Sequence, residues 1–190
     1  MKKSLKNKAV FLDRDGTIVR HLKFPTAARQ LRFLPGAAET IAHFNRLGFL
    51  VIVTTNQPII SRGLLTPADL EKIHQDLAGR LVKRGARLDA FYFCPHHPDG
   101  KIPPWGIVCE CRKPEPGLIK QACRDFNIDP KKSFMIGDAL IDVLAGQRAG
   151  VKTILVKTGP GHPRLDALYQ NVEPDHIAAN LKESLNFIKN

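Results

Sequence analysis

The chain has 190 residues, of which 43% are hydrophobic and 25% charged, so its composition is that of a folded protein and excludes extensive disorder. Its formal net charge of +11 favours anionic partners, but two tyrosines and one tryptophan offer few of the stacking surfaces that single-strand nucleic-acid binders use. With no apolar run near the roughly 20 residues of a membrane span and no recognisable signal peptide, we expect residues 1–190 to form one domain of a cytoplasmic protein, most simply a monomer.

Short β-branched or aromatic segments alternate with longer amphipathic segments along the chain. In chain order, we predict strands at residues 9–13, 49–54, 90–94, 133–137 and 153–156. We predict helices at residues 36–47, 66–84, 116–126, 141–149 and 175–188. This alternation predicts an α/β fold of three layers, in which helices cover both faces of a doubly wound parallel sheet.

Polar residues follow several of the predicted strands, which is where ligands bind in open parallel sheets. Asp13 and Asp15 follow the first strand, Thr55 and Asn56 the second, and Asp138 the fourth. Two carboxylates two residues apart on an extended chain point the same way, so they crowd each other unless a cation intervenes. Each segment alone is typical of a solvated turn or a helix cap, so only their combination indicates a site.

The loop at residues 94–111 carries a Cys-x-His-His segment and, further along, a Cys-x-Cys segment. Cys94, Cys109 and Cys111, together with His96 or His97, supply the four ligands that a closed zinc site needs. Three incidental reduced cysteines are the alternative interpretation. We predict a structural zinc that offsets the cost of ordering the long loop, and Cys123 fits better as a small core residue.

The ordered set of segments resembles the haloacid dehalogenase (HAD) superfamily. The set consists of Asp-x-Asp-Gly-Thr at residues 13–17, a strand ending in Thr-Asn, a Lys-Pro, and Gly-Asp-x-x-x-Asp at residues 137–142. The resemblance implies a HAD-like Rossmannoid fold and a Mg²⁺-dependent phosphatase that works through an aspartyl-phosphate. No segment has room for an inserted cap domain, so we expect a capless enzyme with an open site.

The resemblance also implies the role of each carboxylate. Asp13 is the nucleophile, and Asp15 is the general acid that later becomes the general base. Asp13, the backbone carbonyl of Asp15, and Asp138 hold the Mg²⁺, with Asp142 behind them. Up to four carboxylates and a phosphate can share one pocket only if cations neutralise them, which agrees with this assignment.

The remaining site residues are assigned in the same way. The resemblance implies that Thr55, Asn56 and Lys113 stabilise the phosphoryl group during transfer and that Arg112 contacts the substrate. It also favours His96 over His97 as the fourth zinc ligand. Because Cys111 adjoins Arg112 and Lys113, a zinc there aims both cations at the site.

One branch of the superfamily fits best. The segments around the cysteines look like those of capless phosphatases acting on heptose bisphosphates, in the synthesis of nucleotide-activated heptose for lipopolysaccharide. Histidinol-phosphate phosphatases share nearly the same motifs and are the alternative, while the net charge leaves a polynucleotide end phosphatase as a more distant one. This chain departs from the heptose branch at residues 58–61 and at Ala139, so substrate preference is where we expect a difference.

Overall fold

A computed structural model describes residues 6–188, so most of the basic N-terminal segment lies outside the described residues. The strands are β1 (Ala9–Leu12), β2 (Leu50–Asn56), β3 (Ala90–Cys94), β4 (Phe134–Gly137), β5 (Lys152–Val156) and β6 (His176–Ala178). The helices are α1 (Ala37–Arg46), α2 (Pro67–Val82), α3 (Gly117–Asp125), α4 (Leu140–Ala149), α5 (Pro163–Asp166) and α6 (Ser184–Ile188). Short 3-10 turns lie at Ala28–Gln30 and Pro130–Lys132.

The strands form one parallel sheet in the order β3-β2-β1-β4-β5-β6. All four residues of β1 are buried, as the apolar sequence Ala-Val-Phe-Leu predicts for a strand covered on both faces. β1 pairs with β2 on one side and β4 on the other, so the direction of winding reverses beside β1. Ligand sites in such sheets form at that switch point, beyond the carboxyl ends of the strands.

Two hydrophobic clusters fill the space on the two sides of the sheet. The larger contains side chains of α1, α2 and α6, and the smaller contains side chains of α3 and α4. Helix α2 begins after Thr66, whose Oγ1 accepts a hydrogen bond from the Asp69 amide at 3.1 Å, and Pro67 occupies its first turn. The three-layer α/β fold predicted from the sequence is therefore confirmed.

The predicted helix at residues 175–188 is wrong in its first part. Residues His176–Ala178 form β6, which pairs in parallel with β5, and only Ser184–Ile188 is helical. The apolar residues of this segment fit a helical spacing, but pairing to a distant strand overrides a local pattern. The short helix α5 was not predicted either.

Long connections surround the carboxyl ends of the strands. Between β3 and α3 the chain forms turns without a helix or strand, as predicted for residues 94–111. The connection from β1 to α1 contains only the 3-10 turn, so no cap domain lies there. Within residues 6–188, no helix has the length and apolar character needed to cross a membrane.

Candidate active site

A cavity of about 300 Å³ opens at the carboxyl ends of the strands, beside the switch point. Its wall contains the predicted site residues Asp13, Asp15, Thr55, Asn56, Arg112, Lys113, Asp138 and Asp142. Four separate parts of the chain supply these side chains: the segments at or just after the ends of β1, β2 and β4, and the loop before α3. They meet because the parallel strands end at one edge of the sheet. The structure therefore brings together all the residues that the motifs singled out for this site.

Lys113 and Asp13 form a buried ion pair at the base of the cavity. Lys113 is 2% exposed, and its Nζ lies 2.8 Å from Asp13 Oδ1, 2.6 Å from Asp142 Oδ1 and 2.8 Å from the carbonyl oxygen of Thr54. Burial by itself lowers the pKa of a lysine, but the charges of Asp13 and Asp142 outweigh it and raise the pKa of Lys113 above its ordinary value. Lys113 is therefore a fixed positive charge beside Asp13.

Three carboxylates crowd the same place. One oxygen each of Asp13, Asp138 and Asp142 lie within 4.8 Å of one another. Burial, with further contributions from neighbouring carboxylates, raises the pKa of Asp13 to about 6, although Lys113 opposes the shift. The same causes raise the pKa of Asp138 to about 8. One ammonium group does not neutralise three carboxylates, and a hard divalent cation with oxygen ligands fits the remaining charge.

The backbone around Asp138 has the shape of a cradle. A Cβ at Gly16, which has a φ of +84°, would lie 2.5 Å from Asp138 Oδ2, and a Cβ at Gly159 would lie closer still. The Gly161 amide donates to Asp138 Oδ2 at 3.1 Å and so fixes that carboxylate. Only glycine fits at Gly16, where the turn after β1 and the carboxylate from β4 meet.

The Asp15 carboxylate turns away from this cluster toward Arg14 and Gln57. Asp15 Oδ2 accepts hydrogen bonds from Arg14 Nη2 at 2.8 Å, Arg14 Nε at 3.1 Å and Gln57 Nε2 at 3.0 Å. The metal role that the resemblance implies for Asp15 belongs to its backbone carbonyl and not to this side chain. Arg14 and Gln57 are functional residues without a predicted role, although the position of Arg14 between two aspartates is a local signal.

Asn56 lies in the cavity wall, but its side-chain amide is engaged with the backbone of Lys113. Asn56 Nδ2 donates to the Lys113 carbonyl at 3.0 Å, and the Lys113 amide donates to Asn56 Oδ1 at 3.0 Å. Thr55 Oγ1 accepts from Gln57 Nε2 at 2.9 Å. The Asn56 side chain thus orients the backbone of Lys113.

The four predicted zinc ligands come together in the loop after β3. The Sγ atoms of Cys94 and Cys111 lie 3.5 Å and 3.2 Å from Cys109 Sγ, and His96 Nδ1 lies 3.3 Å from Cys111 Sγ. The hydrogen bond from Cys94, helped by Cys109 and His96, lowers the pKa of Cys111 to about 5 against the effect of burial. His97 is outside this cluster, and its Nδ1 accepts a hydrogen bond from the Asp99 amide instead. Spacing and chemistry fit a tetrahedral zinc.

Positive charge gathers at the mouth of the cavity. Arg112 donates from Nη1 to the His96 carbonyl at 3.1 Å, which ties it to the cysteine loop. Burial, together with the charge of Arg62, lowers the pKa of Arg112 from its ordinary value. Burial also lowers the pKa of His97, with further contributions from the charges of both arginines. This mouth suits a second anionic group. Ile59 and Ala139, from the two segments that depart from the heptose branch, also line the cavity.

Comparison with known proteins identifies close relatives of this chain. A sequence profile of the HAD-hydrolase-like family matches residues 110–184. The D-glycero-D-manno-heptose-1,7-bisphosphate 7-phosphatase of Chlorobaculum tepidum is 40% identical over 184 residues, which cover 94% of this chain and 92% of that protein. The D-glycero-beta-D-manno-heptose-1,7-bisphosphate 7-phosphatase of Escherichia coli K12 is 39% identical over 152 residues, 80% of each chain.

Solved structures of heptose bisphosphate phosphatases are also similar to this chain. The D,D-heptose 1,7-bisphosphate phosphatase of B. bronchiseptica, crystallised with magnesium and phosphate, matches with a TM-score of 0.82 at 31% identity. That match covers 96% of this chain and 98% of the other. The corresponding enzyme of Burkholderia thailandensis matches with a TM-score of 0.68 at 28% identity, covering 97% of this chain and 100% of that one.

Proposed function

Because the chain belongs to the HAD-like family of D-glycero-D-manno-heptose-1,7-bisphosphate 7-phosphatases, we propose that it removes the 7-phosphate of that heptose bisphosphate in a Mg²⁺-dependent reaction. The observation that carries the proposal is the meeting of Asp13, Lys113 and Asp138 in one cavity. These residues offer a nucleophile, a fixed cation and a carboxylate for a divalent ion. A simple binding protein has no need of that combination.

Asp13 is the nucleophile in this proposal. Its carboxylate attacks phosphorus, the bond to the sugar oxygen breaks, and an aspartyl-phosphate forms on Asp13. Lys113 Nζ, 2.8 Å from Asp13 Oδ1, orients the carboxylate and stabilises the charge that spreads over the phosphoryl oxygens. Thr55, which is 1% exposed in the cavity wall, has a hydroxyl that can donate to the same oxygens.

Asp15 is the general acid and base. Its side chain gives a proton to the departing sugar oxygen, and then takes a proton from the water that hydrolyses the aspartyl-phosphate. The two carboxylates differ in surroundings, which supports different roles. Asp13 lies against Lys113, whereas Asp15 lies against Arg14 and Gln57.

Asp13, the carbonyl of Asp15, and Asp138 would hold Mg²⁺, with Asp142 adjacent. When bound, the ion supplies positive charge that offsets the carboxylates and the incoming phosphate. The glycine cradle around Asp138 and the crowding of three carboxylates within 4.8 Å support this assignment. The magnesium in the B. bronchiseptica structure belongs to a protein 31% identical to this one.

A structural zinc at Cys94, His96, Cys109 and Cys111 completes the proposal. The Cys111 ligand precedes Arg112 and Lys113 directly, so a rigid metal centre fixes the start of the segment that carries both cations. Arg112, close to Arg62, would bind the second phosphate of the bisphosphate. The net charge of +11 further favours approach of a doubly phosphorylated sugar.

The experiment is phosphate release from purified protein with Mg²⁺, comparing heptose 1,7-bisphosphate with histidinol phosphate. We expect kcat/KM to favour the bisphosphate by at least tenfold, because only that substrate engages both the Asp13 end and the arginine end of the cavity. A preference of tenfold for histidinol phosphate would reassign the chain to the other activity. Tight binding of a DNA duplex at physiological salt, with an affinity that falls steeply as salt is raised further, would indicate a nucleic-acid substrate instead.

A further inference from the structure

Arg14 is a buried cation whose hydrogen-bonding groups are almost all engaged. It is 1% exposed, although it lies between Asp13 and Asp15 in the sequence. Its Nε and Nη2 both donate to Asp15 Oδ2, and Nη2 also donates to Gln57 Oε1 at 2.9 Å. Its Nη1 lies 3.2 Å from His74 Nε2. This pairing offsets the high cost of burying a guanidinium group and leaves it one orientation.

His74 reaches this arginine from helix α2. It is 3% exposed and stacks on Phe91 of β3, with ring centroids 4.4 Å apart and planes within 10°. Burial, with the charge of Arg14, lowers the pKa of His74 to about 3. A neutral imidazole facing an arginine N–H accepts with Nε2 and carries its own proton on Nδ1. His74 is therefore a fixed acceptor for Arg14.

The two oxygens of Asp15 have unlike surroundings. Oδ2 accepts three hydrogen bonds from Arg14 and Gln57. Oδ1 is buried, and in the part of the chain that the structure describes it has no hydrogen-bond partner. A buried carboxylate oxygen without a partner is costly unless a ligand or a proton meets it. Oδ1 is thus the oxygen of Asp15 to which neither Arg14 nor Gln57 donates.

We propose that His74 and Arg14 are positioning residues that hold Asp15 by Oδ2 and so dedicate Oδ1 to proton transfer. The inference rests on the proposed function, in which Asp15 is the general acid and base. In the first step, the proton on Oδ1 passes to the sugar oxygen as its bond to phosphorus breaks and the bond from Asp13 forms. In the second step, Oδ1 takes a proton from the attacking water as the bond between Asp13 and phosphorus breaks, which releases phosphate and restores the Asp13 carboxylate and the protonated Asp15.

The test uses leaving groups that differ in their need for a proton. A sugar alkoxide needs protonation to depart, whereas p-nitrophenolate departs without it. We expect His74→Leu to lower kcat/KM for an alkyl phosphate by about tenfold or more, and for p-nitrophenyl phosphate by less than threefold. The ratio kcat/KM reports the first irreversible step, phosphoryl transfer to Asp13, which is where the leaving group is protonated.

Two further variants separate positioning from stability. His74→Gln keeps an acceptor where Nε2 stood, so we expect it to restore most of the alkyl phosphate activity. Leu77 lies one turn further along α2 and is fully buried in the larger hydrophobic cluster, so Leu77→Ala creates a cavity without removing a hydrogen bond of Arg14. It should lower the melting temperature while leaving the ratio between the two substrates unchanged.

The outcomes are distinct from those of the proposed function. Equal losses for both substrates in His74→Leu, or no rescue by His74→Gln, would overturn the positioning role. If the wild type hydrolyses a hexose 6-phosphate but not heptose bisphosphate, the proposed substrate is wrong. The positioning role can still be tested, because the hexose 6-phosphate also has an alkyl leaving group to compare with p-nitrophenolate. If the wild type hydrolyses p-nitrophenyl phosphate and no alkyl phosphate, both proposals fail.

Discussion

Asn56 and Lys113 are joined by two hydrogen bonds of 3.0 Å each, from the side-chain amide of one residue to the backbone of the other. Asn56 ends β2, so the sheet itself fixes the backbone position of Lys113. From that position the lysine side chain reaches Asp13 at the end of β1. The position of the Lys113 ammonium group at the base of the cavity therefore depends on Asn56, whose side chain does not need to touch the substrate.

We predict that Asn56→Ala lowers kcat/KM for phosphate release by at least tenfold. The reason is that Lys113 loses both backbone anchors, each worth about 1 kcal/mol, and its Nζ moves away from Asp13. Steady-state kinetics with Mg²⁺ will measure the effect.

Asn45 provides a matched control for this variant. Its side-chain amide also makes two hydrogen bonds to a backbone, donating to the Arg87 carbonyl at 3.1 Å and accepting from the Arg87 amide at 2.8 Å, but it lies far from the cavity. Asn45→Ala should lose similar stability and keep its activity. If both variants lose activity equally, the anchoring of Lys113 is not the cause.

We predict that Asp13→Asn abolishes turnover, with kcat falling at least 10³-fold, because an amide is a poor nucleophile. The fold should remain intact, since the substitution relieves the crowding of three carboxylates and an asparagine oxygen can still accept the hydrogen bond from Lys113 Nζ. Circular dichroism and the melting temperature in EDTA will check this. Asp76→Asn, a change at a surface carboxylate of α2, is the control for activity. Turnover near the wild-type rate in Asp13→Asn would remove Asp13 from its role.

The crowded carboxylates also predict a pH dependence of stability in the metal-free protein. The pKa values of Asp13 and Asp138 are raised to about 6 and about 8, so the folded chain holds these protons more tightly than the unfolded chain does. Their contribution to the free energy of unfolding is therefore greatest at low pH. It is lost as pH rises through about 6 and then about 8.

Magnesium should reverse this loss, because it binds the ionised carboxylates. At a concentration about 100-fold above its Kd, it stabilises by about 2.7 kcal/mol, which is about 5 to 10 °C in melting temperature for a chain of this size. Thermal unfolding in EDTA and in Mg²⁺ should show a larger gain at pH 8 than at pH 6. Asp138→Asn should remove most of that gain, and an unchanged gain in this variant would place the ion elsewhere.

We predict that Cys109→Ser loses bound zinc and lowers the melting temperature by about 5 to 10 °C, because one of four ligands is replaced and the loop loses its cross-link. Elemental analysis and thermal unfolding will measure both. Cys123, on α3 outside the cluster, supplies the control, and Cys123→Ser should keep the metal. Wild-type protein expressed in zinc-containing medium but found free of zinc would refute the assignment.

Local patterns in the sequence were enough to predict the placement of Asp13, Thr55 and Asp138. Each lies at or next to the carboxyl end of an apolar strand, and parallel strands bring such residues to one edge of the sheet. The cysteine cluster was also predictable, because the Cys-x-His and Cys-x-Cys segments supply soft ligands in pairs. In these cases the signal lies within a few residues of the side chain concerned.

Arg14 and β6 could not be predicted, because each depends on a partner distant in sequence. From the sequence alone, Arg14 looks like a solvated surface residue, but in the structure His74 and Gln57 contact its guanidinium group. The residues of β6 have the pattern of a helix start, but in the structure Ile177 pairs with Leu155 of β5. Long-range pairing of this kind outweighs local propensity, and for Arg14 the position between two aspartates gave the local signal without the distant partners.

Cys111, Arg112 and Lys113 are consecutive, and each is held at a different place. Cys111 lies in the thiol cluster, Arg112 donates to the His96 carbonyl, and Lys113 is anchored by Asn56. The thiol cluster fixes Cys111 and Asn56 fixes Lys113, so the number of residues between these two positions is set by the structure. Inserting or deleting one amino acid here would break one attachment or another, even if all three side chains were kept.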